Sequence, residues 1–203
     1  MINEITELQA IAQSGLAYCK DVFDIARYKR ILEISAKLLA LKSNHKYEQV
    51  LELFTADTGY ATPKIDVRGA VFKEDKVLLV QEKTDNLWSL PGGWADVNLS
   101  PAENIIKEIY EEAGFQTNVI KLVGIFDKRK HNPTGQWPHV YKLFFLCGLI
   151  KPGQLAFDQN EILNVNFFKV TELPALSEER VTKKQIEICF KHFHNQDLMV
   201  EFD

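Results

Sequence analysis

Hydrophobic residues recur at helical spacing through the first sixty residues of the chain and at strand spacing after them. Apolar side chains between residues 5 and 18 and between residues 23 and 39 follow approximate helical periods. A shorter set of the same kind occupies residues 47–54. The pattern therefore predicts a small helical module over residues 1–60, which ends in a Gly- and Pro-containing turn.

Beyond this turn the pattern predicts a mixed sheet covered by helices. Residues 64–72 and 76–81 are β-branched and partly alternating, and the short turn between them favours a hairpin. Further elements are predicted along the chain: a short strand ending at 88–93, a helix at 101–113, strands near 119–126, 140–150 and 164–170, and an amphipathic helix at 177–194. We therefore expect a second domain over residues 61–203, of α/β (α+β) class.

Composition and charge exclude several classes of protein. The 203 residues include 24 Lys and Arg against 28 Asp and Glu, a formal net charge of −4. With 46% hydrophobic residues the chain has enough apolar material for a core. The mild acidity argues against a nucleic-acid partner, because a protein that binds nucleic acid contacts the phosphates with clustered Lys and Arg. The longest apolar stretch, residues 143–150, is far shorter than the about 20 residues that cross a bilayer, so no membrane partner is expected.

Two further features favour a reducing, cytoplasmic location. The N-terminus is acidic and has no basic region before an apolar segment, so we do not expect a secretory signal. The cysteines Cys19, Cys147 and Cys189 are odd in number and far apart, which argues against a disulfide framework or a cysteine-based zinc site.

The segment from residue 92 to residue 115 carries the candidate chemistry, and its helix is well specified. Ser100 stands at the N-cap, Pro101 at the first helical position and Glu103 three residues after the cap, which is a capping-box pattern. Gly114 is placed as the residue that ends the helix in a left-handed conformation.

Three glutamates of this helix share one face. Glu108, Glu111 and Glu112 lie at spacings of three and four residues, where like charges repel by a few tenths of a kcal/mol per pair. A divalent cation would turn the repulsion into a binding site, because carboxylates are hard ligands suited to Mg²⁺ or Mn²⁺. The Gly92-Gly93 turn would let a backbone carbonyl approach the same ion. The alternative is a solvated acidic helix face.

This arrangement resembles the Nudix box, G-x5-E-x7-R-E-U-x-E-E-x-G-U with U an apolar residue. The matching positions are Gly93, Glu108, Ile109, Glu111, Glu112, Gly114 and Phe115. The resemblance implies the Nudix α/β/α sandwich with a mixed sheet, and an enzyme that hydrolyses a phosphoric anhydride bond.

Two positions depart from the pattern. Leu99 and Lys107 stand where the family has a Glu and an Arg that usually pair and brace the loop. Because both have changed, neither is left without its partner. We expect Lys107 to pair with Glu103 one turn earlier, in the favoured order of charges.

The resemblance extends along nearly the whole chain. The helical module followed by T-P-K-I-D-V-R-G-A-V-F and L-W-S-L-P-G-G-W-A-D is similar to a bacterial Nudix subgroup with an N-terminal helical domain, described as ADP-ribose or CDP-choline pyrophosphatases. It implies Mg²⁺-dependent hydrolysis of a nucleoside diphosphate linked to a group X, giving a nucleoside monophosphate and phospho-X, by a homodimer. The alternatives are a catalytically weak nucleotide-binding or regulatory module and, for the helices, a packed intramolecular appendage.

The resemblance also implies roles for individual residues. Glu108, Glu111 and Glu112 would hold the metal together with the carbonyl of Gly93, and Glu108 or Glu112 would orient the attacking water. Glu161 lies where several relatives have a glutamate that acts as base, although a surface acid explains it equally well.

Four residues are candidates for substrate contact, and three of them have an alternative. Arg68 would reach the diphosphate or a ribose, or else occupy an exposed strand position. Lys128 begins a basic loop that could steer an anion, or is simply solvated. His139 would touch the substrate or be structural, and Trp94 could offer a stacking surface.

Overall fold

A computed structural model describes residues 1–43, 45–131, 137–151 and 153–203 of the chain. Contacts between residues divide these into two compact units. The first contains residues 1–63 with Trp137 and Pro138, and the second contains the other described residues. Within the described residues, no helix has both the length and the apolar content needed to span a membrane.

The described residues of the first unit form three helices, in the region where the spacing of apolar residues predicted a helical module. They are α1 (Ile2–Tyr18), α2 (Val22–Ala40) and α3 (Tyr47–Ala56). Asp21 caps α2 by accepting hydrogen bonds from two backbone amides of its first turn. The buried apolar side chains of the three helices form one core, made by Ile5, Ala12, Leu32, Ala36, Leu39, Val50 and Phe54.

The second unit is built on a seven-stranded mixed sheet. Its strands are β1 (Lys64–Lys73), β2 (Lys76–Glu82), β3 (Trp88–Ser89), β4 (Thr117–Asp127), β5 (Val140–Leu149), β6 (Ile162–Lys169) and β7 (Glu201–Phe202). The order is β3-β2-β1-β5-β4-β7, and β6 also pairs with β2. The predicted hairpin is confirmed as the antiparallel pair β1–β2, whereas β1 and β5 run parallel.

Two helices belong to separate apolar clusters built on the sheet. Alternate residues of a strand point to opposite faces, so β1 contributes Val67 and Val71 to one cluster and Ala70 and Phe72 to the other. Helix α4 (Pro101–Ala113) joins the first cluster, and α6 (Lys183–His194) joins the second. This is the predicted sandwich of helices around a mixed sheet.

Three elements differ from the sequence prediction. The last helix begins at Lys183, six residues later than expected, because Thr182 is extended and caps the helix in a capping box with Gln185. The side chains of Ser177 and Arg180, in the segment before the cap, bond to Asp85. The predicted basic loop contains a single helical turn, α5 (Lys128–His131). Strand β7 was not predicted, since a two-residue strand has no local signal and exists through its pairing with the edge strand β4.

Candidate active site

The helix that carries the glutamates is capped as predicted. The amide of Glu103 donates to Ser100 Oγ at 3.2 Å, and the amide of Ser100 donates to Glu103 Oε2 at 2.8 Å. Gly114 ends the helix with φ +70°. These caps fix both ends of α4, so that Ile105 and Ile109 face the sheet and the acidic face is set by the helical period.

The glycine turn lies alongside the first half of β1. The amide of Val67 donates to the carbonyl of Gly93 at 2.8 Å, and the amide of Gly69 donates to the carbonyl of Pro91 at 2.9 Å. Gly92 has φ +137°, and a Cβ there would lie 2.0 Å from the carbonyl oxygen of Val67. The turn therefore requires glycine at residue 92, both for its backbone angle and for its close approach to the strand.

Two glutamates of α4 face this turn with little access to water. The carboxylate of Glu112, 7% exposed, accepts a hydrogen bond from the amide of Gly92 at 2.8 Å. Burial raises the pKa of Glu112 to about 8, against the lowering effect of the nearby charge of Arg68. Burial also raises the pKa of Glu108, whose Oε2 would lie 3.4 Å from a Cβ built on Gly93.

The third glutamate has a different partner. Lys107 Nζ lies 2.9 Å from Glu111 Oε2, 3.1 Å from Asp96 Oδ2 and 3.9 Å from Glu108 Oε1. The predicted pair between Lys107 and Glu103 is wrong, because the carboxylate of Glu103 is bonded to Ser100 in the capping box. Glu111 is therefore engaged by a lysine instead of converging with its two neighbours.

The donor set fits a hard divalent cation. No group of three metal-ligating side chains is assembled among the residues that the structure describes. However, the carboxylates of Glu108 and Glu112 are both desolvated, and burial is the main cause that raises the pKa of each. The charge of Glu108 further raises the pKa of Glu112. The carbonyl oxygen of Gly93 keeps a lone pair beyond the one that Val67 uses. An all-oxygen site in which carboxylates outnumber the cations is the chemistry that Mg²⁺ or Mn²⁺ prefers.

The segment that carries Glu161 is anchored to the same region. At one end the amide of Asp158 donates to the carbonyl of Glu111 at 2.7 Å, next to the C-terminus of α4. At the other end the amide of Lys83 donates to the carbonyl of Glu161 at 2.9 Å. The side chain of Glu161 is exposed, and its charge contributes to raising the pKa of Glu82, for which burial is the main cause.

Arg68 is buried, so the exposed-position alternative is wrong. Its side chain is 4% exposed, and Nε and Nη2 each donate to the carboxylate of Asp66 at 2.8 Å. Nη1 donates to the carbonyl of Leu90 at 3.2 Å. The guanidinium charge reaches Glu112, whose pKa it lowers. Arg68 thus provides a buried positive charge, held in place by Asp66, that acts on the carboxylate of Glu112.

The other three candidates occupy different surroundings. Trp94 is 54% exposed and forms an isolated backbone bridge with Asp66. His139 Nε2 lies 3.3 Å from Asp127 Oδ2, and its ring meets Tyr141 edge-on at 5.1 Å. Lys128 begins α5. The structure therefore shows Trp94 beside the glycine turn, and His139 packed against strand residues.

Residues that the sequence analysis did not single out also surround the glutamates. Glu82, 8% exposed at the end of β2, lies 3.2 Å from Arg180 Nε, and its charge raises the pKa of Glu112. Asn104, 1% exposed, binds the backbone of Asp96. The sequence holds a signal for each of them. Glu82 is an acid at the end of an apolar strand, and Asn104 is an amide on the apolar side of an amphipathic helix.

Comparison with known proteins covers both units. The model of a "UDP-X-like, N-terminal oligomerisation domain" matches residues 1–54, and the model of the NUDIX domain matches residues 62–188. A Bacillus subtilis (strain 168) protein named "Putative ADP-ribose pyrophosphatase YjhB" is 42% identical over 203 residues, which is 100% of this chain and 96% of that protein.

Two crystal structures agree with these matches. A UDP-X diphosphatase is 35% identical with a TM-score of 0.63, over 99% of this chain and 96% of that chain. An ADP-ribose pyrophosphatase from Streptococcus suis 89-1591 is 41% identical with a TM-score of 0.63, over 70% of this chain and 100% of that chain.

Proposed function

The chain belongs to the Nudix hydrolase family, and we propose that it is a divalent-metal-dependent pyrophosphohydrolase of a nucleoside diphosphate linked to a group X. The observation that carries the proposal is the pair of desolvated carboxylates, Glu108 and Glu112, set against the Gly92-Gly93 turn. Such a site suits phosphate chemistry because carboxylates and substrate phosphate oxygens together can complete the coordination shell of one cation.

Mg²⁺ is the cofactor we propose, with Mn²⁺ as a substitute. Glu108, Glu112 and the carbonyl of Gly93 would hold it, joined by Glu111 once that side chain leaves Lys107. A bound divalent cation neutralises charge on the diphosphate and acidifies coordinated water.

The residues of the chain supply orientation and a proton acceptor. The amide of Gly92 fixes one oxygen of Glu112, and the other oxygen would bind the cation or orient the attacking water. Burial raises the pKa of Glu112 in the cation-free protein, and the charge of a bound cation would lower it again and keep the carboxylate ionised. Ionised in this way, Glu112 is the first candidate for the base. Glu161 is the second candidate for the base, because its segment is anchored to the end of α4.

We propose ADP-ribose or CDP-choline as the substrate. Attack of water on one phosphorus would release a nucleoside monophosphate and phospho-X. The names of the B. subtilis and S. suis relatives support ADP-ribose. Arg68 would stabilise the diphosphate charge from behind the carboxylates, Trp94 would stack on a ring of the substrate, and Lys128 and His139 would contact its more distant parts.

We further propose a cytoplasmic homodimer in which the helical unit forms the interface. The match of residues 1–54 to an oligomerisation domain supports it, as do exposed apolar side chains in that unit. These include Ile11, Tyr18, Val22, Phe23 and Leu41, between 50% and 78% exposed. The free cysteines Cys19, Cys147 and Cys189 are consistent with a reducing compartment. Light scattering that gives a monomer mass at micromolar concentration would contradict the dimer.

A substrate panel tests the enzymatic proposal. The protein is incubated with Mg²⁺ and ADP-ribose, CDP-choline or UDP-sugars in ¹⁸O-water, and the products are identified by mass spectrometry. We expect a nucleoside monophosphate and phospho-X, with ¹⁸O on the phosphate that was attacked. Tight binding of a nucleotide without any phosphate-containing product would favour the regulatory module instead.

A further inference from the structure

A lysine occupies the position between the glycine-turn loop and the acidic face of α4. Lys107 Nζ lies within 3.1 Å of both Asp96 Oδ2 and Glu111 Oε2, and 3.9 Å from Glu108 Oε1. One ammonium therefore lies within 4 Å of three carboxylates from α4 and from the preceding loop, and it balances one of their three charges. Because two of them belong to the proposed metal set, Lys107 and a divalent cation would compete for the same oxygens.

The loop side of this contact is held firmly. Asn104 Oδ1 accepts a hydrogen bond from the amide of Asp96 at 2.8 Å, and Asn104 Nδ2 donates to the carbonyl of Asp96 at 3.2 Å. The same Nδ2 lies 3.3 Å from the carbonyls of Leu99 and Ser100. The backbone of Asp96 is therefore fixed, which keeps its side chain within reach of Lys107.

The charge of Lys107 is well maintained. A lysine side chain is protonated at neutral pH, and Lys107 has two carboxylate partners within 3.1 Å that favour its charged form. The side chain is 38% exposed, and it can move into solvent when a cation arrives.

We infer that Lys107 is a positioning residue that competes with the divalent cation for Glu111 and Glu108 and thereby sets the cation affinity of the site. The inference rests on the proposed function, since it takes those glutamates as ligands. In the cation-free protein Lys107 holds Glu111 away from Glu108 and Glu112. On cation binding Glu111 is released, and Lys107 keeps its contact with Asp96.

The test is a titration of the protein with Mn²⁺ alone at low ionic strength. The electron paramagnetic resonance signal of the unbound ion gives the dissociation constant. K107M and K107Q remove the positive charge, and we expect both to bind Mn²⁺ about tenfold more tightly than the wild type. The gain should shrink in 0.5 M salt, because the side chain is partly exposed and its charge is screened. K107R keeps the charge and should bind as the wild type does.

Lys183 supplies a matched control. It lies 3.9 Å from Glu187 at the same spacing of four residues, on α6. K183M should leave Mn²⁺ affinity unchanged. If K107M and K107Q bind Mn²⁺ as the wild type does, or more weakly, the inference is wrong.

One further variant separates this failure from failure of the proposed function. E112Q should weaken Mn²⁺ binding whatever the role of Lys107. If E112Q binds as tightly as the wild type, the glutamates are not the metal site and the proposed function fails. If E112Q weakens binding while the Lys107 variants do not change it, only the competition is excluded.

Discussion

Helices α4 and α6 have the same kind of N-terminal cap and a similar amphipathic packing, but we assign the active site to α4 alone. Each begins with a capping box, formed by Ser100 and Glu103 in α4 and by Thr182 and Gln185 in α6. Each is amphipathic and belongs to one of the two apolar clusters of the sheet. Their secondary structure and packing do not distinguish α4, to which we assign the chemistry, from α6.

The difference lies in their buried polar side chains. In α4, Asn104 and Glu112 bond to the backbone of the preceding loop and turn. In α6, both ring nitrogens of the fully buried His192 have no hydrogen-bond partner among the described residues. Nearly all buried polar groups are hydrogen-bonded, and the buried Gln185 of α6 is bonded within its own capping box. In α4 the corresponding bonds reach beyond the cap to the loop and the glycine turn. These bonds, more than amphipathicity, distinguish the helix to which we assign the active site.

The strongest test of the proposed difference between α4 and α6 is to remove one carboxylate from each helix. E112Q removes the buried carboxylate, and we expect kcat to fall by roughly a hundredfold or more, as for loss of a general base or metal ligand. E187Q removes the exposed carboxylate that faces Lys183 in α6, and should leave kcat unchanged. Steady-state rates with Mg²⁺ measure both. Equal effects in the two variants would remove the distinction between the helices.

The amide of Asn104 gives the next largest expected effect. N104A leaves the amide and carbonyl of Asp96 without their partner, and we expect about 2 kcal/mol lower unfolding free energy. The looser loop should also lower kcat severalfold. Urea denaturation measures the first effect. The exposed Asn164, which bonds to Gln81, is the control, because N164A should change stability by less than about 0.5 kcal/mol.

Removal of the N-cap side chains tests the feature that α4 and α6 have in common. S100A and T182A each remove a side-chain oxygen that accepts from the third residue of the helix, at 3.2 Å and 3.3 Å respectively. We expect each to lower the unfolding free energy by about 1 kcal/mol. Thermal unfolding of both variants under one condition checks this. A much larger loss for one of them would mean that the two capping boxes are not equivalent.

The smallest expected effect is a pH dependence of stability from α6. Burial lowers the pKa of His192 below its ordinary value of 6.5, with Lys121 acting in the same direction and Glu201, 3.8 Å away, opposing it. The unfolded chain therefore binds more protons than the folded protein as pH falls below about 6.5, and stability decreases there. H192Q should flatten this part of the profile. An unchanged slope in H192Q would assign it to another group.

Much of the site was predictable because it is local in sequence. The ends of α4 follow from Ser100, Pro101 and Gly114, and the capping box and left-handed cap are confirmed. The hairpin and the later strands follow from alternation of apolar residues. The partner of Lys107 was not predictable, because Glu103 could serve either the cap or the lysine, and the fold of the preceding loop decided between them by bringing Asp96 within reach.

By itself the sequence determined most of the helical and strand segments, the shared face of the three glutamates and the family that their motif resembles, since these depend on residue spacing along the chain. Tertiary structure decided which glutamate is buried against Gly92, which is paired with Lys107, and that Arg68 is enclosed by Asp66 and Leu90. The physical reason is that burial and electrostatic fields depend on distances between separate elements, which residue spacing along the chain does not contain.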